Sequence, residues 1–269
     1  MHPSDEKLAT MSFGSHLEVL RQMLIRVASV VAVVSVVVFC FKEETFRLLL
    51  APKNSDFVTF RLIEQAAARI ASLTGQTESF HFEPYHIELI STELSAQFMM
   101  HLTSAISIGA LLASPYILYE LMRFVSPALY ENERRYSTLV TCCSYLLFMV
   151  GVAMTYFVLF PISFRFLGTY QVDASVQNVI TLNSYISTFT TLTFSMGLVF
   201  QLPVLSWILA KLGLLKASFM SHYRKHAFLL ILILAAIITP PDIFTLILVA
   251  IPLYLLYEGC IRIVRKTEV

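Results

Sequence analysis

The chain reads as an all-α integral membrane protein with six transmembrane helices, the last two short, and three observations carry that reading. Of its 269 residues 57% are hydrophobic and only 14% charged, against about 25% charged in an ordinary soluble domain. The mean hydropathy is +0.73. Four apolar runs supply the roughly 20-residue helix that crosses a hydrocarbon core, and a fifth apolar block is cut by Pro240-Pro241.

In chain order, the first span is expected at about 24–41. It follows an amphipathic segment and leads to Lys42-Glu43-Glu44 without a small-residue cleavage site, so it reads as a retained span rather than a signal peptide. A long external loop, about 42–96, comes next, and within it residues from about 57 to 73 form an amphipathic helical pattern ended by Thr74-Gly75-Gln76. Spans follow at about 97–118, 137–160 and 186–210, with a shorter external loop from Pro161 to about Tyr185. Proline has no amide to donate and clashes with the preceding turn, so the last block splits into spans at about 226–239 and 242–261. The segment Ala227 to Ile238 rises only about 18 Å against a core of about 30 Å, so it thins the bilayer or packs on protein.

Six spans place both termini on one side of the membrane. Thirteen of the 19 Lys and Arg fall on that side, and most of the others lie in one long loop, where charge weighs less on topology; both termini are therefore expected in the cytoplasm. The formal net charge of +1 points neither to nucleic acid nor to an acidic substrate. No linker, heptad run or internal repeat divides residues 1–269, which read as a single membrane domain and argue against inverted-repeat transporters.

Several motifs bear on function. Ser15-His16-Leu17-Glu18 has capping-box spacing, while Glu18 and Arg21, three apart on a cytoplasmic helix face, could equally meet an incoming cation; the two readings stand level. After the second span, Pro115 and Pro127 limit the backbone, and Ser126-Pro127 suits an N-cap followed by proline at the first helical position. Glu120, Glu131 and Glu133 gather there as planar acceptors that paired arginines could bind bidentately. The plainer reading pairs Glu133 with Arg134, Arg135 or a lipid cation, worth about 0–1 kcal/mol, and spacing alone favours it. In the fourth span Gln201 could satisfy the Val199 carbonyl that Pro203 leaves without a donor, or form a polar spot on an intramembrane wall. Thr239-Pro240-Pro241-Asp242 is a capping arrangement opening the sixth span. Glu258 and Arg262 are spaced as a structural i,i+4 pair, and His101 as a packing residue.

Cys40, Cys142, Cys143 and Cys260 lack ligand spacing and read as small core residues. His81 and His86, with Glu83 and Glu88, match no metal motif, so neither metal nor cofactor is expected. The absence of His-Glu-x-x-His, Gly-x-Ser-x-Gly and a Gly-rich nucleotide loop argues against an enzyme. The rival reading is a proton-coupled small-solute transporter, which needs ionisable groups near mid-membrane at about 2.5–3.5 kcal/mol each. His101 is the clearest such group. A structural scaffold is a third reading.

The run Phe124, Pro127, Ala128, Leu129, Tyr130, Glu133, Arg134 and Arg135 resembles the Phe-x-x-Pro-Ala-Leu-Tyr-x-x-Glu-Arg-Arg signature of the TatC family, the multispanning subunit of the twin-arginine protein translocase. His16, Leu17, Leu20 and Arg21 match its His-Leu-x-Glu-Leu-Arg pattern, with Val19 at the glutamate position and Glu18 one residue early. Gln201 stands where members carry Glu or Gln, and Pro240, Pro241 and Asp242 resemble the family's tight external turn. The resemblance implies a receptor and core subunit that exports folded proteins on proton-motive force without nucleotide hydrolysis. By the same resemblance, Glu18, Arg21, Phe124, Glu133, Arg134 and Arg135 would bind the twin-arginine signal peptide, Glu133 foremost, and Gln201 would make an intramembrane contact. The implied partners are TatA- and TatB-type single-span proteins, signal peptides of folded cargo, lipids and further copies of the chain. The implied location is the inner membrane of a prokaryote.

Overall fold

The computed structural model describes residues 13–74, 82–125, 137–173, 175 and 178–268. Helices α1 (Phe13–Cys40) and α4 (Ala96–Val125) pack antiparallel along most of their length. Three contacts set their register: Arg26 with Glu120, Ser35 with Gly109, and the Phe39 ring stacked 4.1 Å from that of His101. A Cβ on Gly109 would stand 2.3 Å from Ser35 Oγ and 2.8 Å from its Cα, so only glycine permits this approach. In lipid such close backbone contact replaces the hydrophobic drive that water supplies to soluble helices. The outer faces, with Val33, Val36 and Leu112, are exposed for lipid.

Between these two helices lie α2 (Lys42–Leu50), a 3-10 turn (Ala51–Lys53) and α3 (Val58–Thr74), the last matching the helix expected from the sequence. The third apolar stretch is α5 (Ser137–Met154), a π turn (Thr155–Leu159) and α6 (Phe160–Thr169). It therefore runs past Pro161, where a loop was expected. A proline at position 161 cannot donate to the carbonyl four residues back, that of Phe157. The Thr59 hydroxyl of α3 donates to that carbonyl instead. Pro52 creates the same vacancy at Leu48, filled by the Tyr156 hydroxyl at 2.9 Å. Tyr185 donates to the Leu49 carbonyl at 2.8 Å, in the last turn of α2, where carbonyls lack helical partners.

The fourth stretch is α7 (Leu182–Val199) and α8 (Leu202–Lys211), one apolar run broken at Phe200-Gln201 ahead of Pro203. Helix α7 is the centre of the core: Tyr185, Ile186, Phe189, Leu192 and Met196 are buried against Leu159, Phe160, Phe164, Ala235, Val249 and Leu253. Gly151 of α5 lies against this helix, where a Cβ would meet the Met196 carbonyl at 2.7 Å. The chain closes with α9 (Ala217–His222), α10 (Arg224–Ile238) and α11 (Ile243–Thr267).

Among the described residues five stretches are long and apolar enough to cross a membrane: 17–40, 96–125, 138–169, 182–211 and 243–267. Helix α10, at 15 residues, is shorter, and the break at Pro240-Pro241 falls where the sequence placed it. The all-helical expectation needs one amendment, since β1 (Leu89–Ile90) pairs in parallel with β2 (Ile180–Thr181) and joins the two loops.

Beside that bridge the Arg165 guanidinium of α6 sits 4.2 Å from the Phe82 ring, 5.0 Å from Tyr85 and 5.2 Å from Phe60. It also donates to the Glu83 carbonyl at 3.0 Å, and Glu64 of α3 accepts from the Phe82 amide at 2.8 Å. Burial pushes the Tyr85 phenol up to about 12, with the Arg165 charge pulling the other way. An acid raised in the fold favours its neutral form, so this contribution to stability is whole below pH 10.0 and fades as the pH rises toward about 12.

The two proline-orphaned carbonyls make a direct test. Thr59→Val and Tyr156→Phe keep the shape of each side chain and remove its hydroxyl. Each is expected to cost about 1–3 kcal/mol, read as a lower thermal unfolding midpoint in detergent.

Candidate functional site

The antiparallel packing brings the first turns of α1 beside the last turns of α4. Glu120, 3% exposed, faces α1 and accepts from Arg26 through Nη2 at 2.8 Å and Nε at 3.3 Å. Tyr116, one turn earlier on α4, donates to its other oxygen at 3.2 Å, and Arg123 approaches within 3.8 Å. A buried carboxylate needs such company, because an unpaired charge in this setting costs several kcal/mol. Glu120 is thus committed to the helix pair and is not a surface acceptor gathered with Glu131 and Glu133, as its sequence position suggested.

Glu18 differs. It is exposed, and its carboxylate holds Arg21 at 2.8 Å and Gln22 at 3.0 Å. The Ser15 backbone is already helical, within α1, and its side chain lies outside what the structure describes. The exposed Glu18–Arg21 pair is worth about 0–1 kcal/mol and can exchange its cation at little cost. Phe124, half-buried, lies one turn beyond Glu120 on α4, which the shared register sets level with these first turns of α1. Glu131, Glu133, Arg134 and Arg135, with Ser126 and Pro127, lie outside the described residues.

Gln201 sits at the break between α7 and α8. Its amide donates to the Ser144 carbonyl at 3.1 Å and its oxygen accepts from the Ser144 hydroxyl. The side chain therefore ties α8 to α5 and does not serve the Val199 carbonyl, because a two-point bond to a buried serine outweighs one to its own backbone. Beside it an apolar groove of about 640 Å³ is lined by Val140, Leu147, Pro203, Val204 and Trp207.

The Pro240-Pro241 turn divides the capping work that the sequence assigned to one box. The Thr239 hydroxyl donates to the Ala235 carbonyl at 2.9 Å and closes α10, while Asp242 is the N-cap of α11 and accepts from the Thr245 amide at 2.6 Å. The Thr239 amide donates to the Ala235 carbonyl and the Asp242 amide to that of Pro240, so neither donor is left for a reciprocal box. Glu258 pairs with Arg224 of α10 at 2.8 Å, not with Arg262. The short α10 folds back on α11 and brings Arg224 to it, leaving Arg262 exposed.

His101 is buried and stacked on Phe39, with no hydrogen-bond partner for Nε2 among the described residues. Of the cysteines only Cys260 is a core residue; Cys40, Cys142 and Cys143 are exposed on outer helix faces, since apolar runs in a membrane protein face lipid as readily as protein. The Arg26–Glu120 and Arg224–Glu258 pairs were missed in the sequence. The signal lay in the arginines: neither Arg26 nor Arg224 has a carboxylate three or four residues away on its own helix.

A bundle of apolar helices around a broken, buried α7, with its charged pairs at span ends, defines a multi-pass helical membrane protein. Residues 15–252 match the family model described as Sec-independent protein translocase protein (TatC). The Sec-independent protein translocase protein TatC of Blattabacterium sp. subsp. Periplaneta americana is 34% identical over 255 residues, covering 94% of each chain. TatCy of Bacillus subtilis is 38% identical over 181 residues, 67% of this chain and 71% of the relative. A crystal structure of the twin-arginine translocase receptor TatC superposes with a TM-score of 0.72 at 28% identity, covering 94% of this chain and 99% of that one. The chain belongs to the TatC family, and is thus a component of a protein translocase. These likenesses support the translocase reading and lend nothing to the small-solute transporter.

The Arg26–Glu120 pair is open to a double-mutant cycle. Arg26→Gln and Glu120→Gln should each lower the unfolding midpoint in detergent, and the double variant should lose less than the sum, with a coupling of about 0.5–3 kcal/mol.

Proposed function

We propose that this chain is the receptor and core subunit of a twin-arginine translocase, binding signal peptides at the end where α1 starts and α4 finishes. The observation that carries the reading is the elbow sequence from Phe124 to Arg135, which continues the chain from the end of α4, one turn past the buried Arg26–Glu120 pair. The pair fixes where the elbow departs. Glu133 is the main acceptor for a paired-arginine ligand and Glu18 a second; Phe124 supplies an apolar wall, and Arg21, Arg134 and Arg135 set the local charge. Glu18, one residue before the position that Val19 fills, stands in for the family's glutamate.

In the same reading residues 1–269 form one membrane domain with six spans, α10 being the fifth and crossing a locally thinned bilayer. Both termini lie in the cytoplasm of a prokaryotic cell, and the membrane is the inner one. TatA- and TatB-type single-span partners dock along the fourth to sixth spans near Gln201, where the short α10 leaves mismatch to be relieved. Further copies of the chain join the complex, and proton-motive force drives transport.

Detergent-purified protein should bind a signal peptide carrying Arg-Arg more tightly than the same peptide carrying Lys-Lys, because only guanidinium makes bidentate pairs. Glu133→Gln should abolish that preference; equal, salt-sensitive binding of both peptides would refute the reading. For the docking surface, cysteines engineered along spans four to six should crosslink single-span partners. Crosslinks confined to spans one to three would place the partners elsewhere.

A further inference from the structure

Helix α3 has two apolar faces. One packs on the protein through Phe60, Glu64 and Ala67, beneath the Arg165 cage. On the opposite face Leu62, Ala66, Ile70 and Leu73 fall within about 80° of the helix turn; Leu62 is 59% and Leu73 87% exposed. Arg61 and Arg69 are exposed along its edge, and neither makes an ion pair among the described residues. An apolar stripe edged by arginines is the pattern of a helix lying in a membrane interface.

A second observation supplies the depth. Thr59 is bonded to the Phe157 carbonyl, and Phe57 stacks on the Phe157 ring. Phe157 lies roughly 20 residues, or about 30 Å of helix, beyond Ser137, a rise equal to the thickness of a hydrocarbon core. In the sequence the apolar run of α5 follows directly on Arg134-Arg135, and the charge rule therefore puts its first turn at the opposite boundary. The start of α3 is therefore pinned at the far edge of the hydrocarbon, where Phe157 and Val158 are themselves exposed.

We propose that α3 is an interfacial helix: its Leu62–Ile70–Leu73 stripe is buried in the headgroup–acyl boundary of the leaflet opposite the α1 start, and Arg61 and Arg69 reach lipid phosphates. The bilayer then covers an apolar face that the protein leaves open. This assignment is independent of signal-peptide binding and of which side of the cell the leaflet faces.

Trp207 is the only tryptophan in the chain, so a Trp207→Phe background reports single reporters. Leu62→Trp, Leu73→Trp and Ala68→Trp, the last on the polar edge, are reconstituted into vesicles of phosphatidylcholine and phosphatidylglycerol carrying lipids brominated near the headgroup or deep in the chain. The stripe positions should lose about half their fluorescence to the shallow bromine and less to the deep one, with Ala68→Trp little changed. Replacing Arg61 and Arg69 by glutamine should reduce the stripe quenching in vesicles with phosphatidylglycerol and leave it unchanged in pure phosphatidylcholine. Stripe positions as unquenched as Ala68→Trp, or all three quenched alike, would overturn the proposal. So would disulfide-linked dimers from Leu73→Cys in place of lipid contact, which would put a second copy on the stripe. Should the Trp207→Phe background fail to reconstitute, a nitroxide on Leu73→Cys, with the exposed Cys40, Cys142 and Cys143 changed to serine, reads the same contrast. High accessibility to oxygen and low accessibility to an aqueous nickel chelate supports burial in lipid; the reverse overturns it.

Discussion

A proline leaves the carbonyl four residues back without its helical donor, and much of this architecture follows from how that vacancy is filled. Pro161 orphans Phe157 and Pro52 orphans Leu48; hydroxyls from distant segments, Thr59 and Tyr156, take the two vacancies. Each bond does more than satisfy an oxygen. It fastens the long loop after α1 to the third stretch, so that α2 and α3 become part of the bundle. Tyr185 repeats the device from α7, the most buried helix, and ties the loop to the core itself.

Charge is placed by the same logic. Glu120 and Glu258 lie within apolar helices, and each is joined to an arginine of another helix, so the ion pairs act as fasteners between elements. Glu18, outside the packed zone, keeps only a local partner. One end of the α1–α4 pair is thereby split into a rigid inner carboxylate and an exchangeable outer one.

The sequence made the spans readable because apolar length and proline position are properties of one segment at a time. The interruption at Pro240-Pro241 and the helix α3 were both visible there. What escaped was every choice between a neighbour on the same helix and one across an interface. Glu258 had Arg262 a turn away and took Arg224; Gln201 had its own backbone and took Ser144; Glu120 was placed with Glu131 and Glu133 and belongs with Arg26. Such choices depend on interhelical register, which close approaches such as Gly109 on Ser35 decide and no single-segment pattern encodes. The elbow motif shows the reverse case: its residue order is distinctive in sequence, while Glu133 to Arg135 fall outside the described structure.

The parallel bridge between Leu89–Ile90 and Ile180–Thr181 joins segments about 90 residues apart in a chain that is made from one end. Tyr185, which holds Leu49, arrives later still. During synthesis the loop after α1 thus emerges long before the strand and hydroxyl that complete it. Its β edge and the Leu49 carbonyl wait for the segment from Ile180 to Tyr185, whereas the Leu48 carbonyl is closed earlier by Tyr156 of the third stretch. Closure of that loop therefore trails, in chain order, the two spans that flank it, with the segment from Ile180 to Tyr185 as its latch.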